Sequence, residues 1–182
     1  MFITAINGEE FVKEYDQNGV SFEVVRCPVT VWCGAVGYAP NCEEEPDIAS
    51  ILVKYQSSIQ EGKRETANPQ WDCAISINYW QEGAAPRGMM FGQQVMSVKQ
   101  ASAYDVYTMP ESLFVRVSNT AENAKAAFGK ESCEVYELFG VIKDHLDEHG
   151  YDIGTNGAQE IEMYNHSAGI SYAYVQVKQK EI

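Results

Sequence analysis

The sequence predicts an α+β domain in which an antiparallel sheet is built from a tandem β-α-β-β repeat with pseudo-twofold symmetry and helices on one face. Three observations lead there. The segment "FEVVRCPVTVW" (Phe22 to Trp32) reappears as "YDVYTMPESLF" (Tyr104 to Phe114), an offset of 82 residues. A stretch of helical period follows each copy, and two strand-like segments follow each helix.

Taken in order, residues 1 to about 20 read as an N-terminal extension outside the repeat, and residues 21–182 as a single domain with halves at about 21–100 and 101–180. In both copies of the repeated segment a proline stands six residues after the leading aromatic, Pro28 and Pro110. Proline removes a ladder donor, so each main strand is expected to bend or begin there. Pro46 and Asp47 then open a first helix with apolar residues at Ile48, Ile51, Leu52, Tyr55 and Ile59. The second helix repeats that spacing with Val135, Leu138, Phe139, Ile142 and Leu146, and Gly150 is its expected C-cap. The strand pairs are "CAISINYW" with "MFGQQVMSVK" in the first half and "QEIEMYN" with "ISYAYVQVK" in the second. Loops rich in Gly, Pro and Asn connect them.

Composition bounds the function. A chain of 182 residues with 45% hydrophobic content buries a full core. Its 13 basic against 26 acidic residues give a net charge of −13, which repels phosphate backbones and argues against direct nucleic acid binding. No apolar run reaches the length of a membrane span, and the start "MFITAINGEEF" lacks the pattern of a signal peptide, so a cytoplasmic protein is expected. The five cysteines, at 27, 33, 42, 73 and 133, form no C-x-x-C pair and read as reduced thiols.

One strand carries the functional signal. In "IEMYN" (Ile161 to Asn165) apolar and polar residues alternate, so Glu162 and Tyr164 share one face and Ile161 and Met163 the other. With Ile161 and Met163 set toward the helices, Glu162 and Tyr164 face away from them. Aligning "INYW" (Ile77 to Trp80) with "IEMY" brings Asn78 and Trp80 to the same side, and alternation in the last strand pairs Tyr172 with Tyr174. Aromatic rings gathered around one carboxylate suit a concave site, because a solvated face would carry Lys, Thr and Gln instead.

The second half, from "YTMPESLFVRV" through "HLDEHGYDI" to "IEMYN" and "YAYVQVK", resembles the GyrI-like, AraC-type effector-binding domains. The resemblance covers roughly residues 20 to 180 and implies a cleft between the two halves that binds amphipathic, cationic, drug-like small molecules. Glu162 matches the family's "E-x-Y" glutamate, which pairs with the ligand's charge in an aromatic pocket. Tyr164, Tyr172, Tyr174, Trp80 and Asn78 are assigned to the pocket from strand faces. The closing strand "YVQVK" departs from the family by lacking a proline. Relatives often carry a helix-turn-helix; this chain reads as a stand-alone binding module needing no cofactor or metal.

Two alternatives stand beside binding. Some GyrI-like proteins act as hydrolases, in which case Glu162 is a general acid or base with Tyr164 as a hydrogen-bond donor. An acidic protein-protein modulator, such as a gyrase inhibitor, uses the surface instead of the cleft. Other motifs carry less. His145 and His149 lie at i, i+4 but do not reproduce H-E-x-x-H, and His166 is isolated. The acids at 43–45 suit a helix N-terminus, and "WCGAVG" (Trp32 to Gly37) reads as close packing or a bulge, not a nucleotide loop.

Overall fold

The structure is a computed structural model that describes residues 2–61, 65–79, 85–100 and 103–181, the side chains of 60 and 61 excepted. Ten strands form one antiparallel sheet: β1 (Glu10–Gln17), β2 (Val20–Cys27), β3 (Thr30–Tyr38), β4 (Asp72–Ile77), β5 (Gly88–Val95), β6 (Asp105–Met109), β7 (Ser112–Ser118), β8 (Tyr151–Ile153), β9 (Ala158–Asn165) and β10 (Ile170–Gln179). The α-helices among the described residues are α1 (Ile48–Glu61), α2 (Ala121–Phe128) and α3 (Glu137–His145). None is long and apolar enough to cross a membrane.

The strand order β1-β2-β7-β10-β9-β4-β5-β3-β6, with β8 on β10, makes the duplication visible. Leaving out β1 and β8, the order is a palindrome in which β2 matches β6, β3 matches β7, β4 matches β9 and β5 matches β10. Both prolines mark bends as expected. Cys27 pairs with Ser112 before the bend and Thr30 with Met109 after it, so β2–β3 and β7–β6 form one long ribbon kinked at Pro28 and Pro110. The sheet stays open, with β1 and β6 at its edges.

α1 packs on β3 and β5, and α3 on β7 and β10. Asp47 caps α1 by accepting from the Ser50 backbone amide at 3.1 Å. In α3 and the turns on either side of it, Val135, Leu138, Phe139, Ile142 and Leu146 are all buried, and Gly150 takes the left-handed cap conformation at φ 79°. α1 buries less of its stripe. Ile51 and Tyr55 are buried, whereas Ile48, Leu52 and Ile59 are exposed. Two glycines of "WCGAVG" let the layers meet. A Cβ on Gly34 would lie 1.9 Å from the Phe91 carbonyl oxygen, and one on Gly37 would lie 2.5 Å from Cγ1 of Ile51 in α1. α2 was not anticipated; Thr120 caps it by accepting from the Asn123 amide at 3.2 Å.

Both faces of the sheet are covered. The second face carries a core of its own, in which Val25, Trp32, Ile75, Met90, Phe114, Ile161 and Tyr174 pack with Ala5 and Ile6 of the N-terminal segment. That segment brings Glu9 to Arg116, which is wholly buried, at 2.8 Å; Glu23 accepts from Arg116 Nε at 2.6 Å and the Tyr174 hydroxyl sits 2.8 Å from Nη1. Phe2 and Tyr172 lie 4.5 and 4.2 Å from the guanidinium carbon. The extension is therefore built into the core. Its β1–β2 hairpin turns at Asn18-Gly19, both with positive φ. Removing one member of a buried ion pair strands the other charge. Arg116→Met should lower the unfolding free energy by about 3–5 kcal/mol in urea melts. Arg26→Met, which breaks the exposed Arg26–Glu111 pair, should cost less than about 1 kcal/mol.

Candidate functional site

The central pair β4·β9 lies between the strands that the helices cover, so its helix-side residues form the floor of a groove between α1 and α3. Pairing sets the rows of that floor. Ala74 stands opposite Glu162, with Phe91 and Ala173 beyond; Asp72 stands opposite Tyr164; Ser76 stands opposite Glu160. A cavity of about 270 Å³ opens here, lined by Leu52 and Tyr55 from α1, Ala74, Phe91 and Asp72 from the sheet, and Glu162, Tyr164 and His166.

The electrostatics single out Glu162. Burial pushes its carboxyl above the usual range, with Glu160 and Glu134 adding to the rise, and only the Tyr164 hydroxyl, which donates to Oε2, works the other way. Tyr164 is itself held well above the ordinary phenol range by burial and by that carboxylate. Each other acid on the floor has further company. Glu160 accepts from Lys143 Nζ of α3 at 2.7 Å, and Asp72 accepts from the Tyr55 hydroxyl at 3.1 Å and lies 3.6 Å from His166 Nε2. Among the described residues no Lys or Arg pairs with Glu162. The arrangement can hold a positive charge against one carboxylate between apolar and aromatic walls.

The sequence-predicted residues divide. Glu162 and Tyr164 come together, but on the face that carries the helices, not the face away from them. The expected orientation of β9 is thus corrected: Ile161 and Met163 are buried on the opposite side, in the core that the N-terminal segment covers. Tyr172 and Tyr174 go with them, since Tyr172 pairs with Met163 and Tyr174 with Ile161. Their rings pack around Arg116, and they do not line the groove. Asn78 lies past the end of β4 at φ 61°, beyond a register shift at Ser76/Ile77, and its side chain donates to the Pro86 carbonyl. Trp80 lies outside the described residues.

Sequence reasoning missed Asp72, Ala74, Phe91, Leu52, Tyr55 and Glu160. Their signal was present in part: the exposed side of α1 and the helix-face register of β4 follow once the helices are placed on the side of Glu162. His166 is not isolated, because its ring stacks parallel to Tyr164 at 5.7 Å. His149 stacks on Tyr15, and among the described residues no three His, Cys, Asp or Glu side chains gather as a metal site.

Solved structures share this architecture. A putative bacterial transcription regulation protein from Staphylococcus aureus MU50 superposes with a TM-score of 0.56 at 15% identity, over 88% of this chain and 99% of the other. The EcmrR C-terminal domain matches at 0.55 and 11%, over 87% and 97%. SAV2435, solved bound to tetraphenylphosphonium, matches at 0.54 and 13%, over 86% and 93%. At these identities the likeness establishes the fold, an α+β domain of the type found in transcription regulators and in a protein that takes a small organic cation. No protein-family model and no curated protein matches the sequence.

The Tyr164 hydrogen bond favours the charged form of Glu162, so Tyr164→Phe should raise the Glu162 pKa further above the ordinary carboxylate range, as a lost charge-assisted hydrogen bond implies. Carbon-13 NMR of the labelled carboxyl reads the shift directly, and an unchanged titration contradicts the coupling.

Proposed function

We propose that the protein is a small-molecule-binding module that takes amphipathic organic cations in the groove between α1 and α3, with Glu162 as the counter-charge. One observation carries this reading: a half-buried carboxylate set among Leu52, Tyr55, Phe91 and Tyr164, with a phenol but no Lys or Arg against it among the described residues. A desolvated anion of this kind gains from a partner cation, and the ligand provides it. Aromatic faces add about 0.5–2 kcal/mol for each well-placed cation-π contact. Such a pocket selects by charge and flatness, and it accepts many chemical frameworks. The tetraphenylphosphonium bound to SAV2435 is a ligand of this chemistry in a protein of like fold. The strongly acidic surface, net −13, favours the approach of cations.

Titration of tetraphenylphosphonium followed by calorimetry tests the reading. Glu162→Gln should bind at least about tenfold more weakly, a loss of ~1.4 kcal/mol; equal affinity in both proteins rejects the ion pair. The pH dependence has a fixed sign. Ligand needs the ionised carboxylate, and burial raises its pKa, so affinity should be full above that raised value and fall as the pH drops through it. The fall begins at a higher pH than for an ordinary exposed glutamate. In Glu162→Gln the profile should be flat over the same interval.

The Tyr164–Glu162 hydrogen bond and the raised carboxyl also favour a second reading, hydrolysis with Glu162 as general acid or base. Turnover of an activated ester that vanishes in Glu162→Gln would place it ahead of simple binding.

A further inference from the structure

We infer that Lys143 is a built-in counter-cation that limits the groove to one buried seat for positive charge, so that a second cationic centre on a ligand adds little to its affinity. The inference rests on the cation-binding reading above and deepens it. Its basis is the spacing of two acids. Glu160 and Glu162 stand two residues apart on the same face of β9, which puts their backbones roughly 6.6 Å apart at the usual strand rise. Both carboxylates lie under the helix layer, yet they are balanced differently. Lys143 reaches down from α3 and donates to Glu160 at 2.7 Å, with the two side chains only 21% and 10% exposed. Among the described residues Glu162 receives a phenol hydrogen bond and pairs with no Lys or Arg.

The other charges around the floor do not change this balance. Glu134, ahead of α3, adds negative potential at Glu162, and Glu45 is met by Arg87. Asp72 lines the same cavity as Glu162, but its side chain is 37% exposed and His166 stands 3.6 Å away. Solvent there weakens its hold on a ligand charge relative to a buried carboxylate. Lys54 pairs with Asp105, away from the floor. Lys143 is thus the basic side chain that the described residues place on a floor carboxylate.

Two consequences follow from one ammonium serving Glu160. Removing it leaves a second desolvated carboxylate beside the first, and a ligand with two cationic centres about one seat-spacing apart then satisfies both. Removing Glu160 instead takes that partner from the ammonium, and Glu162 is the next carboxylate along the same face of β9, so Lys143 becomes an internal competitor of the ligand. Neither outcome is expected of a lysine that merely fastens α3 to the sheet.

A matched pair of probes tests this: benzyltrimethylammonium, with one charge, and p-xylylene-bis(trimethylammonium), with two. In the wild type the two should bind within about threefold of each other. In Lys143→Met the dication should gain at least tenfold over the monocation, while Lys143→Arg, which keeps the charge, should retain the wild-type ratio. Glu160→Gln should weaken the monocation at least tenfold, and Glu160→Gln combined with Lys143→Met should restore it; thermal melts confirm that each variant is folded. Should Lys143→Met fail to fold, the Glu160→Gln series decides alone. An unchanged ratio in folded Lys143→Met, or unchanged monocation affinity in Glu160→Gln, overturns the inference while Glu162-dependent binding stands. Failure of the wild type to bind any cation, tetraphenylphosphonium included, overturns the binding reading and this inference with it.

Discussion

The antiparallel pairing of β4 with β9 is the constraint on which the rest of the molecule depends, because it joins the two copies of the repeat and sets which side chains meet between them. Ile75 stands opposite Ile161 at its middle, buried on one face, while Ala74 and Glu162 stand opposite each other on the other. A slip of one residue would exchange those faces, sending Glu162 into an apolar core and Ile161 onto the groove floor. The small side chain of Ala74 also matters. It leaves room above the carboxylate where a larger neighbour would fill the space between the helices.

Covering both faces of the sheet is what turns this pairing into a domain. On one side α1 and α3 lie over the outer strands and leave the central pair open. On the other, the kinks at Pro28 and Pro110 and the N-terminal segment enclose a core that includes a buried arginine. Buried ion pairs contribute little net stability when complete, yet losing one partner is costly. Arg116 thereby ties the N-terminal segment, through Glu9, to β7 and β10. Its aromatic surroundings explain a cluster of tyrosines that has nothing to do with the groove.

Within the groove, three acids share a floor and differ in their exposure and, above all, in their partners. Among the described residues an ammonium meets Glu160, a phenol and an imidazole meet Asp72, and a phenol meets Glu162. Burial makes that difference matter, since a carboxylate shielded from water gains more from a counter-ion than an exposed one. The chemistry of the site therefore lies less in the presence of acids than in which of them the protein has already neutralised.

Period and punctuation carried much of this in the sequence itself. The duplication, the two prolines at the bends, the spacing of both helices and the shared face of Glu162 and Tyr164 are local properties of the chain, and short-range sterics and alternation express them directly. The Asn18-Gly19 turn was equally local and marks a strand in what reads as a mere extension. What the sequence could not decide was the side of the sheet on which Glu162 lies. Alternation separates two faces without saying which one the helices cover, and here both faces are buried, so apolar residues point to either. Tyr172 and Tyr174 parted from Glu162 for that reason. Asn78 left the groove because a register shift and a positive φ at the end of β4 broke the simple repeat. Only long-range packing, of helices on one side and the N-terminal segment on the other, gave each face its neighbours.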